Sequence, residues 1–325
     1  MDKGISVIIC CYNSAERLPE TLRHLAGQRF TETIPVEIIL INNASTDTTK
    51  ETAQSEWERY GSPFPMMIIN ENRAGVIYAR QTGIKHASYK YTLWCDDDNW
   101  LKYNYMQLAF DRMESDPTIG VLGGQSTGVS LIDLPDWFLD YSAVYAIGKQ
   151  AQHTGFLHQN YIWGAASVQR TAIVIETIAN DFPMLLVGRK GNLLLAGDDS
   201  EMCRRILLMG YRLFYDEALH FSHFIPPARL TKEYREGLRK GIIQSTPILG
   251  KYDILLYFSR LNRPAQLKNI AVLAVRILFR RLFHPKQVEE IAMLHAKTCF
   301  LFNTTRWSKD IEYNIILNFY FTYRK

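Results

Sequence analysis

The chain has 325 residues, 47% hydrophobic and 22% charged, which is enough apolar material for a core and excludes a disordered chain. Its apolar runs are far shorter than the ~18–20 residues a membrane-crossing helix needs. The net charge of +4 hides an asymmetry: residues 229–325 hold 18 Lys and Arg against 7 Asp and Glu, or +11, leaving −7 for residues 1–228. An acidic body (1–228) and a basic helical region (229–325) are therefore expected, with separate jobs. The strand-like stretch 5–11 follows Met1 too closely for a secretory leader, so a cytosolic location is expected. The five cysteines (10, 11, 95, 203 and 299) lack zinc-like spacing and read as buried, reduced thiols.

Residues 6–11 (SVIICC) read as a strand and 15–27 as a helix, with Pro19 near its start and Gly27 at its end. Strand 36–41 and helix 45–60 follow, with Ser45 or Thr46 as the N-cap. Then come strand 66–69, helix 75–87, strand 91–95, helix 103–114 and strand 120–123. This alternation predicts an α/β domain around a mainly parallel central sheet flanked by helices, with ligands beyond the carboxyl ends of the strands. The aromatic-rich stretch 126–161 breaks the pattern, and loops of that length are usually functional. Helical signals return at 169–179 and 199–209, and the chain is helical and basic after Pro226 and Pro227.

Asp96, Asp97 and Asp98 follow the fourth strand directly. Three consecutive carboxylates repel one another and need a positive offset. A divalent cation such as Mg²⁺ or Mn²⁺ suits oxygen ligands and keeps substrate phosphates in its shell. An EF-hand loop is excluded, because Leu101 stands where its turn needs Gly.

Four stretches in order, SVIICCYNSAERLPETLRHLAGQ, VEIILINNASTDTTKE, NENRAGVIYARQTGIKHA and YTLWCDDDNWL, resemble the first hundred residues of family 2 glycosyltransferases of the GT-A fold, of the bacterial cell-surface polysaccharide type. The resemblance implies a metal ion, Mn²⁺ or Mg²⁺, with Asp98 as its principal ligand, Asp96 near the ribose and metal, Asp97 between them, and His223 approaching from "HFSHFIPP". It places Tyr12, Asn13, Asn42 and Asn43 around the nucleotide base. The family often has Asp at the position of Asn42 or Asn43, whereas Asn both donates and accepts. Arg73 and Arg80 are implied at the nucleotide or diphosphate, though a structural pair with an acid such as Asp96 is an equal reading for Arg80. The segment at Trp163 and Gly164 resembles the family's small-residue strand on the acceptor side. Gly197, Asp198, Asp199, Ser200 and Glu201 resemble its acidic motif.

Such enzymes typically invert the anomeric centre, so a carboxylate must take the acceptor hydroxyl's proton. Asp199 is the expected base and Asp198 the second choice. A helix N-terminus lowers a carboxyl pKa and an adjacent acid raises it. Both residues capping a helix is the plainer alternative. Trp100 and Trp163 are the expected sugar contacts, while most aromatics of the 126–161 stretch read as core.

The implied function is transfer of a sugar from a nucleotide-diphosphate donor, UDP-sugar by the family's habit, to a saccharide or lipid-linked acceptor. A catalytically inactive sugar- or nucleotide-binding protein of the same fold is the alternative. In residues 269–283, Arg276, Arg280 and Arg281 cluster on one helical face. This suits either an anionic membrane surface on the cytosolic side or a helix packed on the body. No nucleic-acid module is recognised. Residues 124–128 fit the G-x-S-x-G string of a serine hydrolase, but the following stretch is too short for the helix that motif requires.

Overall fold

The structure, a computed structural model, describes residues 1–178, 182–190, 194–281 and 288–324. Strands β1 (Asp2–Cys11), β2 (Val36–Asn43), β3 (Met66–Glu71) and β4 (Tyr89–Trp94) pair in parallel in the order β3-β2-β1-β4. Between them run α1 (Leu18–Ala26), α2 (Thr49–Arg59) and α3 (Val76–Lys85). Beyond β4 the sheet becomes mixed. Strand β8 (Val168–Arg170) lies antiparallel between β4 and β6 (Ile119–Val129), and β6 pairs in parallel with the long β9 (Arg212–Phe224). The short β5 (Asn99–Leu101) and β7 (Gly155–Phe156) pair antiparallel with β9, completing nine strands among the described residues.

Alternation along the strands divides the core between the two sheet faces. Ile5, Val7, Ile9 and Cys11 of β1 face one way, packed with Leu18, Leu22 and Leu25 of α1 and with Met106, Ala109 and Met113 of α4 (Tyr105–Ser115). Ile8, Ile39 and Ile41 face the other way, toward α3, α6 (Thr171–Ile178) and α7 (Asp198–Leu208). Cys10 and Cys11 accordingly point to opposite faces, and all five cysteines are free thiols. The last residue of the helix expected at 169–179 lies outside the described residues.

The expected cap of α2 is corrected: the helix starts at Thr49. Ser45 Oγ instead accepts from the Asn13 N–H (3.1 Å), and the Thr46 N–H donates to Asn13 Oδ1 (2.8 Å). Asp47 Oδ1 accepts from the Thr49 N–H at 3.1 Å. These bonds join the loops that follow β1 and β2.

Within the 126–161 stretch, β6 continues to Val129 and Ser126 Oγ donates to the Ala146 carbonyl at 2.5 Å, so no strand–turn–helix elbow forms there. Farther on, Phe138 of α5 (Phe138–Tyr141) and Tyr145 bury against Ile225, Leu230 and Leu238.

Helices α8 (Lys232–Ser259), α9 (Arg263–Arg281), α10 (Val288–Phe302) and α11 (Ile311–Tyr323) build a further core around Tyr252, Leu255, Phe258, Cys299 and Ile316, which includes Leu208 of α7. Phe319 of α11 joins the cluster under the sheet. On α9, Arg276 pairs with Glu290 of α10 at 3.2 Å. The side chains of Arg280 and Arg281, and residues 282–283, lie outside the described part. No helix among the described residues is long and apolar enough to cross a membrane.

Candidate active site

The parallel order brings the carboxyl ends of β1, β2 and β4 together, and a cavity of about 900 Å³ opens there. Its lining includes Tyr12, Arg17, Asn43, Arg80, Asp96, Asp97 and Asp98 together with Trp163, Gly164, Asp198, Asp199, His223 and Arg229.

The positive offset that the acidic triplet requires is supplied by the chain itself. Asp97 Oδ2 accepts from Arg17 at 2.5 Å and from the Ser14 hydroxyl, and its carbonyl accepts from Thr21 Oγ1 at 2.8 Å. Asp98 Oδ2 accepts from Arg229 Nη1 at 2.7 Å, while Oδ1 faces His223 Nε2 and Asn99 Nδ2, each at 3.2 Å. Burial opposes ionisation of Asp98, but His223 and Arg229 outweigh it and hold the carboxyl well below its ordinary range. Asp96 has the reverse balance: burial first, and then the Asp98 charge, push it up to about 6.

The second acidic run sits at the start of α7, after Gly197, whose φ of +97° suits glycine. Arg80 donates to Asp198 Oδ2, both groups being buried, and stacks its guanidinium over Trp94 at 5.5 Å. Its partner is thus Asp198 and not Asp96. Gly188, at φ +66°, passes so close that a Cβ there would lie 2.7 Å from the Asp198 carboxyl carbon. Asp199 makes no side-chain ion pair among the described residues. It accepts backbone N–H groups from Gly164 (2.9 Å, Oδ2) and Ser200 (2.6 Å, Oδ1). Burial and then the neighbouring Asp198 raise its pKa, against the lowering effects of Arg80 and these two N–H groups. Glu201 points away into the scaffold, where Arg205 (2.9 Å), the Tyr252 hydroxyl (2.7 Å) and the Leu185 and Leu186 N–H groups satisfy it.

Four residues expected at the site stand outside the cavity. Asn13, at φ +49°, spends its side-chain oxygen on Thr46. Asn42 donates to Asn70 Oδ1 of β3 at 3.1 Å. Arg73 pairs with Glu71 at 2.8 Å and lies over the Tyr78 ring. Trp100 is stacked between His24 and Phe224, with ring centroids at 6.0 and 5.2 Å, and so faces away. Asn43 lines the cavity but also ties down the next loop, donating to the Arg73 carbonyl (2.7 Å) and accepting from the Gly75 N–H (3.0 Å). Sequence reasoning missed Arg17 and Arg229. The requirement for a positive offset was the available signal, but it did not say which cations would meet it.

The family described as Glycosyl transferase family 2 matches residues 6–172. The chain belongs to that family. It is 30% identical over 239 residues to a poly-beta-1,6-N-acetyl-D-glucosamine synthase of Staphylococcus aureus, covering 73% of this chain and 53% of the relative. The chain thus spans about half the length of the curated relatives it matches first. Among solved structures, S. aureus TarS residues 1–349 in complex with UDP-GlcNAc superposes with a TM-score of 0.52 at 16% identity, covering 98% of this chain and 90% of that one. The same TarS segment in complex with UDP gives 0.51 at 17% identity, with the same coverage. At such identity the likeness speaks for the fold, which is the GT-A type expected of a family 2 glycosyltransferase.

Among the described residues no group of three or more His, Cys, Asp or Glu is disposed to hold a metal ion. Asp98 and His223 form the available pair. That pair fits an ion that takes most of its shell from a diphosphate and water rather than from the protein.

Proposed function

We propose that this family 2 glycosyltransferase moves a sugar, with inversion, from a UDP-sugar to a hydroxyl of a saccharide or lipid-linked acceptor. One observation carries the reading: Asp96, Asp97 and Asp98 open on the same cavity as the carboxylate of Asp199, which makes no side-chain ion pair among the described residues. The polysaccharide-synthase name of the relative and the nucleotide complexes of TarS support the donor class.

In the transfer, the acceptor oxygen bonds to the anomeric carbon as the bond to the diphosphate oxygen breaks, and that electron pair leaves with the diphosphate. Asp199 takes the hydroxyl proton; its raised pKa makes it a better acceptor than an ordinary carboxylate. Gly164 bonds to Asp199 and leaves room for the acceptor, because a Cβ there would meet both Asp199 and Arg80. Tyr12 and Asn43 wall the nucleotide side and Trp163 the acceptor side. Asp98 and His223 would hold Mg²⁺ or Mn²⁺, which neutralises charge on the leaving diphosphate when bound. In this reading residues 1–228 carry the chemistry, and residues 229–325 form a helical region whose first helix closes the cavity through Leu238, Ile242 and Ser245.

The test is UDP release from UDP-GlcNAc with Mn²⁺ across a panel of saccharide and lipid-linked acceptors. Turnover by the wild type and about 10³-fold slower turnover by Asp199→Asn are expected. Binding of UDP-GlcNAc without turnover on any acceptor would instead make the chain a binding protein.

A membrane surface is part of the same proposal. Leu267, Val272, Val275 and Leu278 of α9 are each more than half exposed, in a region of charge +11. We expect the chain to sediment with anionic vesicles at low salt and less so at high salt. Equal recovery in the supernatant at low salt would remove this part.

A further inference from the structure

The groups around Asp98 are not equivalent. His223 and Asn99 are fixed by the sheet, since they are direct partners in the β5–β9 register, and the Phe224 N–H donates to the Asp98 carbonyl at 2.9 Å. Arg229 comes from a single turn, Pro227–Arg229, just before α8. Its backbone is anchored, with the N–H donating to the Pro226 carbonyl (2.8 Å) and the carbonyl accepting from the Tyr145 hydroxyl (3.0 Å). Its guanidinium is a long side chain that lines the cavity and closes on Asp98 Oδ2. With Asp98 only 3% exposed, both of its oxygens are already engaged. A cation reaching Asp98 from the cavity must therefore displace Arg229. Doing so without a replacement partner strands a partly buried guanidinium, which is costly. A diphosphate provides that partner, because guanidinium matches phosphate oxygens in a bidentate fork.

We propose that Arg229 is an exchangeable counter-cation. It holds Asp98 in the donor-free protein and passes to the diphosphate when nucleotide and divalent cation arrive, so that each binds weakly alone and tightly with the other. This rests on the nucleotide-diphosphate reading above. Coupling of this kind is reciprocal: whatever factor the nucleotide adds to cation affinity, the cation adds to nucleotide affinity.

The experiment measures Mn²⁺ alone, UDP alone and the two together on the full chain, by electron paramagnetic resonance of free Mn²⁺ and by calorimetry. Wild type is compared with Arg229→Met and Arg229→Lys. In Arg229→Met, Mn²⁺ alone is expected to bind roughly tenfold tighter than in wild type, and UDP with saturating Mn²⁺ roughly tenfold weaker, so the coupling collapses. Arg229→Lys keeps a charge without the fork and falls between. It carries the same comparison should the methionine variant fail to fold. Mn²⁺ affinity that is unchanged or weaker in the variants overturns the exchange. A wild type that binds no UDP under any condition defeats the donor reading instead, while the Mn²⁺ comparison still decides the fate of Arg229.

Discussion

Asp96–Asp98 and the pair Asp198 and Asp199, with Glu201 behind it, both turn consecutive carboxylates toward one cavity, but they manage the charge differently. The first run draws its cations from distant turns at the cavity wall, Arg17 and Arg229, whose side chains remain 20% and 21% exposed. The second run draws them from the scaffold: Arg80 is only 10% exposed, and Arg205, beside Glu201, is fully buried. Each run still leaves one carboxyl without a direct cation contact among the described residues, Asp96 in the first and Asp199 in the second, and both are shifted upward. On the proposed function, the difference separates binding from chemistry. Cations at a wall can change partners when ligand arrives, whereas buried ones hold a base in a fixed place and environment.

The sharpest way to break this comparison is Asp199→Asn. The amide oxygen can still accept from the Gly164 N–H, so the fold and UDP affinity should hold, while kcat falls about 10³-fold through loss of the proton acceptor. Initial-rate assays alongside calorimetry with UDP check both halves. Activity within tenfold of wild type would move the base to another group, with Asp198 the first to examine.

Next comes the stability of the two runs. Arg80→Met leaves the Asp198 charge buried and unpaired, and should cost about 3–5 kcal/mol in urea denaturation. Arg17→Met opens a pair that solvent partly reaches and should cost nearer 1.5 kcal/mol. Equal costs would mean that the two runs are not different in kind.

The pH dependence follows with its sign. Asp199 must be ionised to accept a proton, so kcat should fall as pH drops through its raised pKa, and the acid limb should lie above the ordinary carboxylate value of 3.8. Arg80 lowers that pKa, so Arg80→Met should move the limb higher still. For stability the same shift acts in the opposite sense. A carboxyl whose pKa is raised on folding favours the native state at low pH, and that contribution is lost as pH rises through the native pKa. A kcat profile flat down to pH 4 would remove Asp199 from the proton-transfer step.

How much of this could be read in advance depended on the range of the interaction. The strand–helix alternation through residue 123 is local patterning, and each expected element is present, although the last strand runs on to Val129. The start of α2 was misplaced because Ser45 and Thr46 bond to Asn13, 32 and 33 residues away, instead of to their own helix. The acids were visible because they are consecutive and follow a strand. Their partners were not, since Arg17 and Arg229 lie 80 and 131 residues from the carboxylates they meet. Repulsion within the triplet foretold a positive charge, and a metal ion seemed the natural source. In the structure guanidinium and imidazole groups stand there, and Asp98 with His223 remains the pair that suits an ion. Proximity in sequence misled in the other direction for Arg73, two residues from the Glu71 that holds it outside the cavity.

The smallest expected effect tests that last kind of error. Trp100 directly follows Asn99, and sequence proximity to the acids made it a sugar contact. Its ring instead lies between His24 and Phe224 beside a separate recess of about 360 Å³, with His220 and Lys102 on the same wall. The indole N–H is buried and has no hydrogen-bond partner among the described residues, so Trp100→Phe deletes no bond within the protein. Phenylalanine preserves an aromatic face for the stack, and the stability change should stay near about 1 kcal/mol. With the cavity untouched, kcat and the acceptor KM should remain within about twofold, well under the tenfold that 1.4 kcal/mol of lost contact would produce. A tenfold rise in acceptor KM at unchanged stability would mean that the acceptor reaches around β5, and that the two recesses act as one site.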